Sequence, residues 1–257
     1  MDIQGQTALV TGAGSGLGEA VAHELARQGA RVAVIDVNPA NAERVAAAIG
    51  ADQALGLAAD ITDTASLTAA LDAAEARLGP ARIVMNIAGI GNAKRVLAKD
   101  GRPAPLEDFE RVIRVNLLGT YNVVRLTAAR IAGLEPLADG ERGVMVMTAS
   151  VAAYDGQVGQ EAYAASKGGI VSMTLPLARD LAQFGIRVCT IAPGLFSTPL
   201  MKTLPEAVQT SLAASIPFPR RLGKPEEFAS MAAYLVGNVH LNGETIRLDG
   251  ALRLPPR

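Results

Sequence analysis

Tyr163 and Lys167 stand at positions i and i+4 in the run Y-A-A-S-K, with Ser150 upstream of them. On a helix this spacing puts both side chains on one face, one turn apart. A phenol with an ordinary pKa of about 10 is a poor base near neutral pH. An ammonium held close to it favours the phenolate and brings that value toward the working range. The Ser150 hydroxyl would steady a substrate oxygen and its developing charge while the proton moves. The plain alternative is an amphipathic helix that meets the spacing by chance. The N-terminal segment argues against chance.

Thr7–Thr11 is an apolar β-run that enters the turn Gly12-Ala13-Gly14-Ser15-Gly16-Leu17-Gly18, and a helical pattern follows. Glycines there let the backbone approach a pyrophosphate, while the helix start offers free N–H groups and positive dipole. Gly12, Ser15, Gly16, Leu17 and Gly18 are therefore expected to bind a dinucleotide. The next apolar run, Val32–Ile35, ends at Asp36. An acid at that strand end suits the two hydroxyls of an adenosine ribose and repels a 2′-phosphate, so NAD is expected rather than NADP. A glycine-rich turn and a strand-capping aspartate could arise separately, but here strand, loop, helix, strand and acid arrive in the order the site requires.

With these residues goes a wider set: Asp60, N-I-A-G at Asn86–Gly89, Asn116 in V-N-L-L-G, and P-G-L-F-S-T-P at Pro193–Pro199. On these motifs the chain resembles the classical short-chain dehydrogenase/reductases over essentially its whole length. Within that family, L-E-D-F-E-R-V-I-R-V-N-L-L-G-T, A-S-V-A-A-Y-D-G-Q-V-G-Q and L-N-G-E-T-I-R-L-D-G-A look most like the type-2 3-hydroxyacyl-CoA dehydrogenase subfamily, also called 17β-hydroxysteroid dehydrogenase type 10. The resemblance implies that Tyr163 is the acid/base, that Lys167 tunes it and binds the nicotinamide ribose, and that Ser150 holds the substrate oxygen. It also implies that Asn116 anchors a water joining the lysine to solvent; a helix-interior asparagine bonding backbone is compatible with that. Asp60 and Ile61 match the adenine contacts, and Asn86, Ile87, Ala88 and Gly89 run beneath the middle of the cofactor. Pro193, Phe196 and Thr198 match positions near the nicotinamide. At Ile87 the family more often has a second asparagine or a cysteine, a change that a backbone contact would survive.

The resemblance makes the expected activity an NAD-dependent interconversion of a secondary alcohol and a ketone, with L-3-hydroxyacyl-CoA and 3-ketoacyl-CoA as the leading pair. A hydroxysteroid or another hydrophobic alcohol keeps the mechanism and changes the substrate. A dinucleotide-binding regulator on the same fold is a reading of another class. Against it stand Ser150, Asn116, Tyr163 and Lys167, since a binding-only protein has no need of a tuned phenol.

Composition bounds the rest. Of 257 residues, 49% are hydrophobic, as expected of a parallel sheet buried on both faces. A net charge of −1 gives no electrostatic case for nucleic acid or membrane partners. His23 and His240 are isolated and Cys189 is the sole cysteine, so neither a clustered metal site nor an intrachain disulfide is expected. No membrane span or leader stands out, and the default reading is a soluble cytoplasmic protein.

Apolar runs alternate with helical patterns throughout, which predicts a single α/β domain over 1–257: a Rossmann fold, doubly wound, with a mostly parallel seven-stranded sheet and helices on both faces. Expected helices include 106–133 and 162–184, the latter carrying Pro176 in its interior. As the family usually does, the chain is expected to form a homotetramer through these two long helices.

Two stretches break the alternation. Gly91–Pro105, with 95–105 as its basic insertion loop, carries Lys94, Arg95, Lys99 and Arg102 against one acid, Asp100. It reads as a solvated loop, or as cations meeting the phosphates of a coenzyme A thioester, with Lys94 and Arg95 on the substrate. The other, 195–221, follows a strand end and reads as a substrate lid, with Phe196, Leu200, Met201 and Leu204 turned to an apolar group, or as a packed surface helix.

Overall fold

The computed structural model describes residues 1–91 and 93–256, with the side chains of Leu200 and Lys202 left undescribed. Seven parallel strands run in the order β3-β2-β1-β4-β5-β6-β7. They are β1 (Thr7–Thr11), β2 (Arg31–Asp36), β3 (Ala54–Ala58), β4 (Ala81–Asn86), β5 (Gly143–Thr148), β6 (Ile186–Pro193) and β7 (Thr245–Leu248). The helices are α1 (Gly16–Arg27), α2 (Pro39–Ile49), α3 (Thr64–Leu78), α4 (Leu106–Ile113), α5 (Thr120–Ile131), α6 (Glu161–Leu181), α7 (Pro199–Lys202), α8 (Glu206–Ala214) and α9 (Pro225–Gly237). The doubly wound expectation is met.

Every residue of β1, β5 and β6 is buried, which is why these strands read as continuous rather than alternating apolar runs. One face of the sheet packs Val10, Val34, Met85 and Val146 against Val21, Leu25, Val45, Phe228 and Leu235 of α1, α2 and α9. The other packs Leu9, Ile35, Val84 and Met147 against Leu67, Leu71, Val123, Ile131 and Ile170 of α3, α5 and α6. Cys189 is buried on the first face, a small core residue as its surroundings in the sequence suggest.

Strand order reverses between β1 and β4, since the chain moves outward from β1 to β2 and β3 and then returns to the other side. A crevice opens at the carboxyl ends of strands at such a switch point. Gly12, Asp36, Gly89 and Ser150 all follow or end strands on that edge.

Of the two long helices expected, the first differs from the single run predicted and the second runs through its proline as expected. The stretch 106–133 is interrupted by a wide π turn over Arg114–Gly119, which carries Asn116. π turns inside helices are frequent at functional sites. α6 continues through Pro176 to Leu181 and closes with a tight turn over Ala182–Phe184.

Candidate active site

β1 delivers the chain into the glycine turn at Gly12, whose φ of +64° favours glycine. A Cβ there would fall 2.6 Å from the Ala88 Cα, so only glycine allows β1 and the end of β4 to close together. Thr11 knits the same junction: its hydroxyl accepts from the Ile87 and Ala88 N–H groups at 3.2 and 3.3 Å. Gly18 is equally constrained, with a Cβ placed 2.2 Å from the Gly12 carbonyl oxygen. Ser15 caps α1 in an extended conformation and makes no side-chain cap bond, which leaves the first N–H groups of the helix for a ligand.

The cleft above these elements has a volume of about 520 Å³. This lies within the ~300–1,000 Å³ usual for small-molecule and cofactor sites. Its walls include Gly12, Ser15, Gly16, Leu17, Gly18, Asp36, Asp60, Ile61, Ile87, Ala88, Gly89, Tyr163, Lys167, Pro193 and Thr198. The sequence-predicted cofactor residues are thus brought together along one wall, with two exceptions. Asn86 is buried behind the lining, and neither its amide nitrogen nor its oxygen has a partner among the described residues. Phe196 turns its ring into the core and meets Phe228 edge-on at 6.1 Å, so it does not face an apolar substrate group as expected. An aromatic ring at this strand end gains more from burial against Phe228 than from exposure in a cleft.

Asp36 Oδ2 accepts from the Gly14 N–H and Oδ1 from the Asn38 N–H, both at 2.9 Å. The carboxylate is thereby oriented at the cleft wall, and Val37, 74% exposed, lies beside it.

Tyr163 and Lys167 project from the first turns of α6, beneath Ser150 at the end of β5. Lys167 is buried; its Nζ donates to the Thr148 carbonyl at 2.8 Å and stands 5.8 Å from the centre of the Tyr163 ring. Burial in low-dielectric surroundings disfavours the ammonium and brings Lys167 down to about 8. Burial also pushes the Tyr163 phenol above its ordinary value, with the Ser150 hydroxyl acting the other way by hydrogen bonding. The expected depression of the phenol by Lys167 is therefore not found in the free protein. Desolvation of the buried phenol is the larger effect and the Ser150 hydrogen bond the smaller.

Asn116, wholly buried, accepts from the Ile90 N–H at 2.8 Å, and its amide nitrogen donates to the Ile90 carbonyl at 2.9 Å and to Ser166 Oγ at 3.1 Å. It joins the wall segment after β4 to α6, three residues from Tyr163 in sequence. This is the backbone-bonding role that its residue type allowed.

The basic loop forms a short hairpin closed by Ala98 N–H to Arg102 C=O and Ala104 N–H to Val96 C=O, both 2.9 Å. Lys94 is ion-paired with Asp108 of α4, and Arg102 with Asp100. Asp108 lies outside the stretch that was counted for charge, so the loop is less cationic than its own composition suggests. Arg95 and Lys99 carry no ion pair among the described residues. In the lid, α7 and α8 are short and largely exposed, Met201 is half-buried and Leu204 exposed; the Leu200 side chain lies outside the described residues.

Sequence reasoning missed Val37, Ala59, Ile90, Val115 and Thr148 in the cleft wall. Most are small or apolar, and such lining leaves no mark in residue type. Thr148 carries a signal after the fact: a polar residue ending an apolar strand, its hydroxyl buried and without a hydrogen-bond partner among the described residues.

The site is a cleft walled by the glycine turn and reaching a phenol and an amine, groups that can hold an oxygen and move its proton. The close approach at Gly12 and the free helix start at Ser15 fit a dinucleotide cofactor. The family model for short chain dehydrogenase matches residues 6–209. The chain is 49% identical to 3-hydroxyacyl-CoA dehydrogenase type-2 of Drosophila melanogaster, over 99% of this chain and 100% of that one. The crystal structure of 3-hydroxyacyl-CoA dehydrogenase type-2 from Mycobacterium avium superposes with a TM-score of 0.94 at 45% identity, covering 98% of both chains. The crystal structure of 3-ketoacyl-(acyl-carrier-protein) reductase from Brucella melitensis, complexed with NADH, gives 0.87 at 35% identity over 98% of this chain and 100% of that one.

Proposed function

From the premise that this chain belongs to the short-chain dehydrogenase family and is an oxidoreductase using a nicotinamide dinucleotide, we propose that it interconverts L-3-hydroxyacyl-CoA and 3-ketoacyl-CoA with NAD. The observation that carries the reaction type is the pairing of Tyr163 and Lys167 in the cleft wall, with the Ser150 hydroxyl hydrogen-bonded to the Tyr163 phenol. The near-complete coverage of a 3-hydroxyacyl-CoA dehydrogenase type-2 relative supports the substrate.

The bound cofactor supplies the hydride donor or acceptor. Ser150 holds the substrate oxygen and stabilises the charge that grows on it. Tyr163 protonates that oxygen in reduction and takes the proton in oxidation. Lys167, raised from the floor of the cleft, binds the nicotinamide ribose and favours the phenolate once its charge is satisfied there. Gly12, Ser15 and Gly16–Gly18 hold the pyrophosphate; Asp36 holds the adenosine ribose and selects NAD; Asp60 and Ile61 flank the adenine. Ile87–Gly89 support the cofactor's middle, while Pro193, Thr198 and the Phe196 backbone serve the nicotinamide end. Arg95 and Lys99, with Lys94 when released from Asp108, meet the coenzyme A phosphates, and the 195–221 segment closes over the acyl group.

No helix among the described residues is long and apolar enough to cross a membrane. A free, buried Cys189 agrees with a cytoplasmic setting. Leu118 and Tyr121 near α5 and Leu175 on α6 are exposed apolar side chains at 54%, 47% and 45%, which supports a homotetramer joined through these helices.

The test is NADH oxidation with acetoacetyl-CoA beside an equal concentration of a ketosteroid. The proposal expects saturable turnover of the thioester. Turnover of the steroid alone would keep the proton chemistry and discard the acyl-CoA substrate; silence with both would discard the substrate class.

A further inference from the structure

Arg44 of α2 and Glu19 of α1 lie behind the cleft lining and are linked to the Asp36 carboxylate in its wall through one residue, Gly14. Arg44 grips Glu19 with its fork, Nη1 donating to Oε1 at 2.7 Å and Nη2 to Oε2 at 2.9 Å. Its Nη2 also donates to the Gly14 carbonyl at 2.9 Å. The N–H of that same Gly14 donates to Asp36 Oδ2 at 2.9 Å. A guanidinium and the ribose-facing carboxylate thus hold opposite ends of one residue. Nothing larger than glycine fits between them: a Cβ at Gly14 would lie 2.7 Å from Asp36 Oδ2 and 2.7 Å from the Asn41 Cβ.

An arginine near the ribose is how dinucleotide sites accommodate a 2′-phosphate, and guanidinium–phosphate pairing is strong because it is bidentate. Here the arginine is present, 53% exposed on a flexible stem, but its fork is already filled by a carboxylate. Arg44 holds the Glu19 carboxyl below the ordinary carboxylate range, so that partner stays ionised at neutral pH.

We propose that Glu19 is a specificity-determining residue: by occupying the Arg44 fork, it denies that guanidinium to a 2′-phosphate and adds a second barrier against NADP to the charge of Asp36. This rests on the reading of Asp36 as the ribose ligand. The pair also braces the glycine turn through the Gly14 carbonyl. Loss of that brace weakens both cofactors together and leaves their ratio alone, whereas loss of the blockade changes the ratio.

The experiment compares kcat/KM for NADP and for NAD in the wild type, Asp36→Ala, Asp36→Ala/Glu19→Ala and Asp36→Ala/Glu19→Ala/Arg44→Ala. The NADP-to-NAD ratio is expected to rise about tenfold on adding Glu19→Ala to Asp36→Ala, the scale of a charge-assisted bond, and to fall back when Arg44 is removed. An unchanged ratio, or a gain that survives without Arg44, overturns the proposal. A wild type that already prefers NADP sinks the Asp36 reading instead, so the two failures are distinguishable. Should the Asp36 variants fail to fold, calorimetry on Glu19→Ala alone decides with adenosine 2′,5′-bisphosphate and adenosine 5′-monophosphate. Tighter binding of the bisphosphate only, lost in Glu19→Ala/Arg44→Ala, supports the blockade; equal shifts for both ligands, or none, refute it.

Discussion

The Lys167 amine lies over the face of the Tyr163 ring, 5.8 Å from its centre, and is tethered to the Thr148 carbonyl at 2.8 Å. The tether fixes the amine in the cleft wall, one helical turn from the phenol. Its burial favours the neutral amine, which brings its pKa to about 8 against 10.5 for the ordinary side chain.

That depression sets a sign for stability. Below about pH 8 the folded and unfolded chains both carry the proton, and the buried ammonium is a cost to the folded state. Between about 8 and 10.5 the unfolded chain binds the proton more than the folded one, so stability rises with pH over that window. Urea unfolding of the cofactor-free protein should therefore show wild type gaining on Lys167→Met from pH 8 to pH 10. A constant difference across that range contradicts the burial argument.

Asn116 satisfies both backbone groups of Ile90 from inside the π turn. Replacing it with alanine leaves the partly buried N–H and C=O of Ile90 without this partner, at up to about 1–3 kcal/mol each. Asn116→Ala should lower the urea midpoint clearly and weaken NADH binding, because Ile90 forms part of the cleft wall. Calorimetry and denaturation on one preparation check this, and an unshifted midpoint would remove Asn116 from its role as a brace.

Gly12→Ala pits a side chain against the Ala88 backbone at 2.6 Å, in a backbone conformation that L-residues rarely adopt. Neither obstacle can move without separating β1 from the end of β4. The variant should lose measurable NADH binding by fluorescence titration; retained affinity would mean that the glycine turn is not the pyrophosphate cradle.

Arg95 and Lys99 carry the unspent charge of the basic hairpin, whereas Lys94 is paired with Asp108. Reversing Arg95 and Lys99 to glutamate should raise KM for acetoacetyl-CoA about tenfold with little effect on KM for NADH. The increase should shrink in high salt, as screening removes the contribution of exposed charges. Equal increases for a ketone lacking coenzyme A would assign the hairpin a structural role.

Much of this was legible in the residues because burial and phosphate geometry leave strong marks. Continuous apolar runs predict β1, β5 and β6, and glycines with no room for a Cβ predict the turn at Gly12–Gly18. The π turn at 114–119 was not legible, since V-N-L-L-G satisfies an ordinary helical pattern and the Ile90 backbone that Asn116 bonds from it lies 26 residues away. Phe196 was misread because its residue type suits a substrate wall as well as a core, and its partner Phe228 is distant in sequence. The Lys94–Asp108 pair was equally hidden, because Asp108 belongs to α4, beyond the basic stretch. The Glu19–Arg44 pair spans two helices, and a sequence offers no measure of how their side chains meet.

The central claim is that Tyr163 moves the proton within an intact dinucleotide site. It is tested most directly by measuring NADH affinity and acetoacetyl-CoA turnover in wild type and Tyr163→Phe. The account predicts affinity within about twofold of wild type and turnover lower by about two to four orders of magnitude, the scale of general acid–base catalysis. Near-normal turnover with normal NADH binding would contradict it.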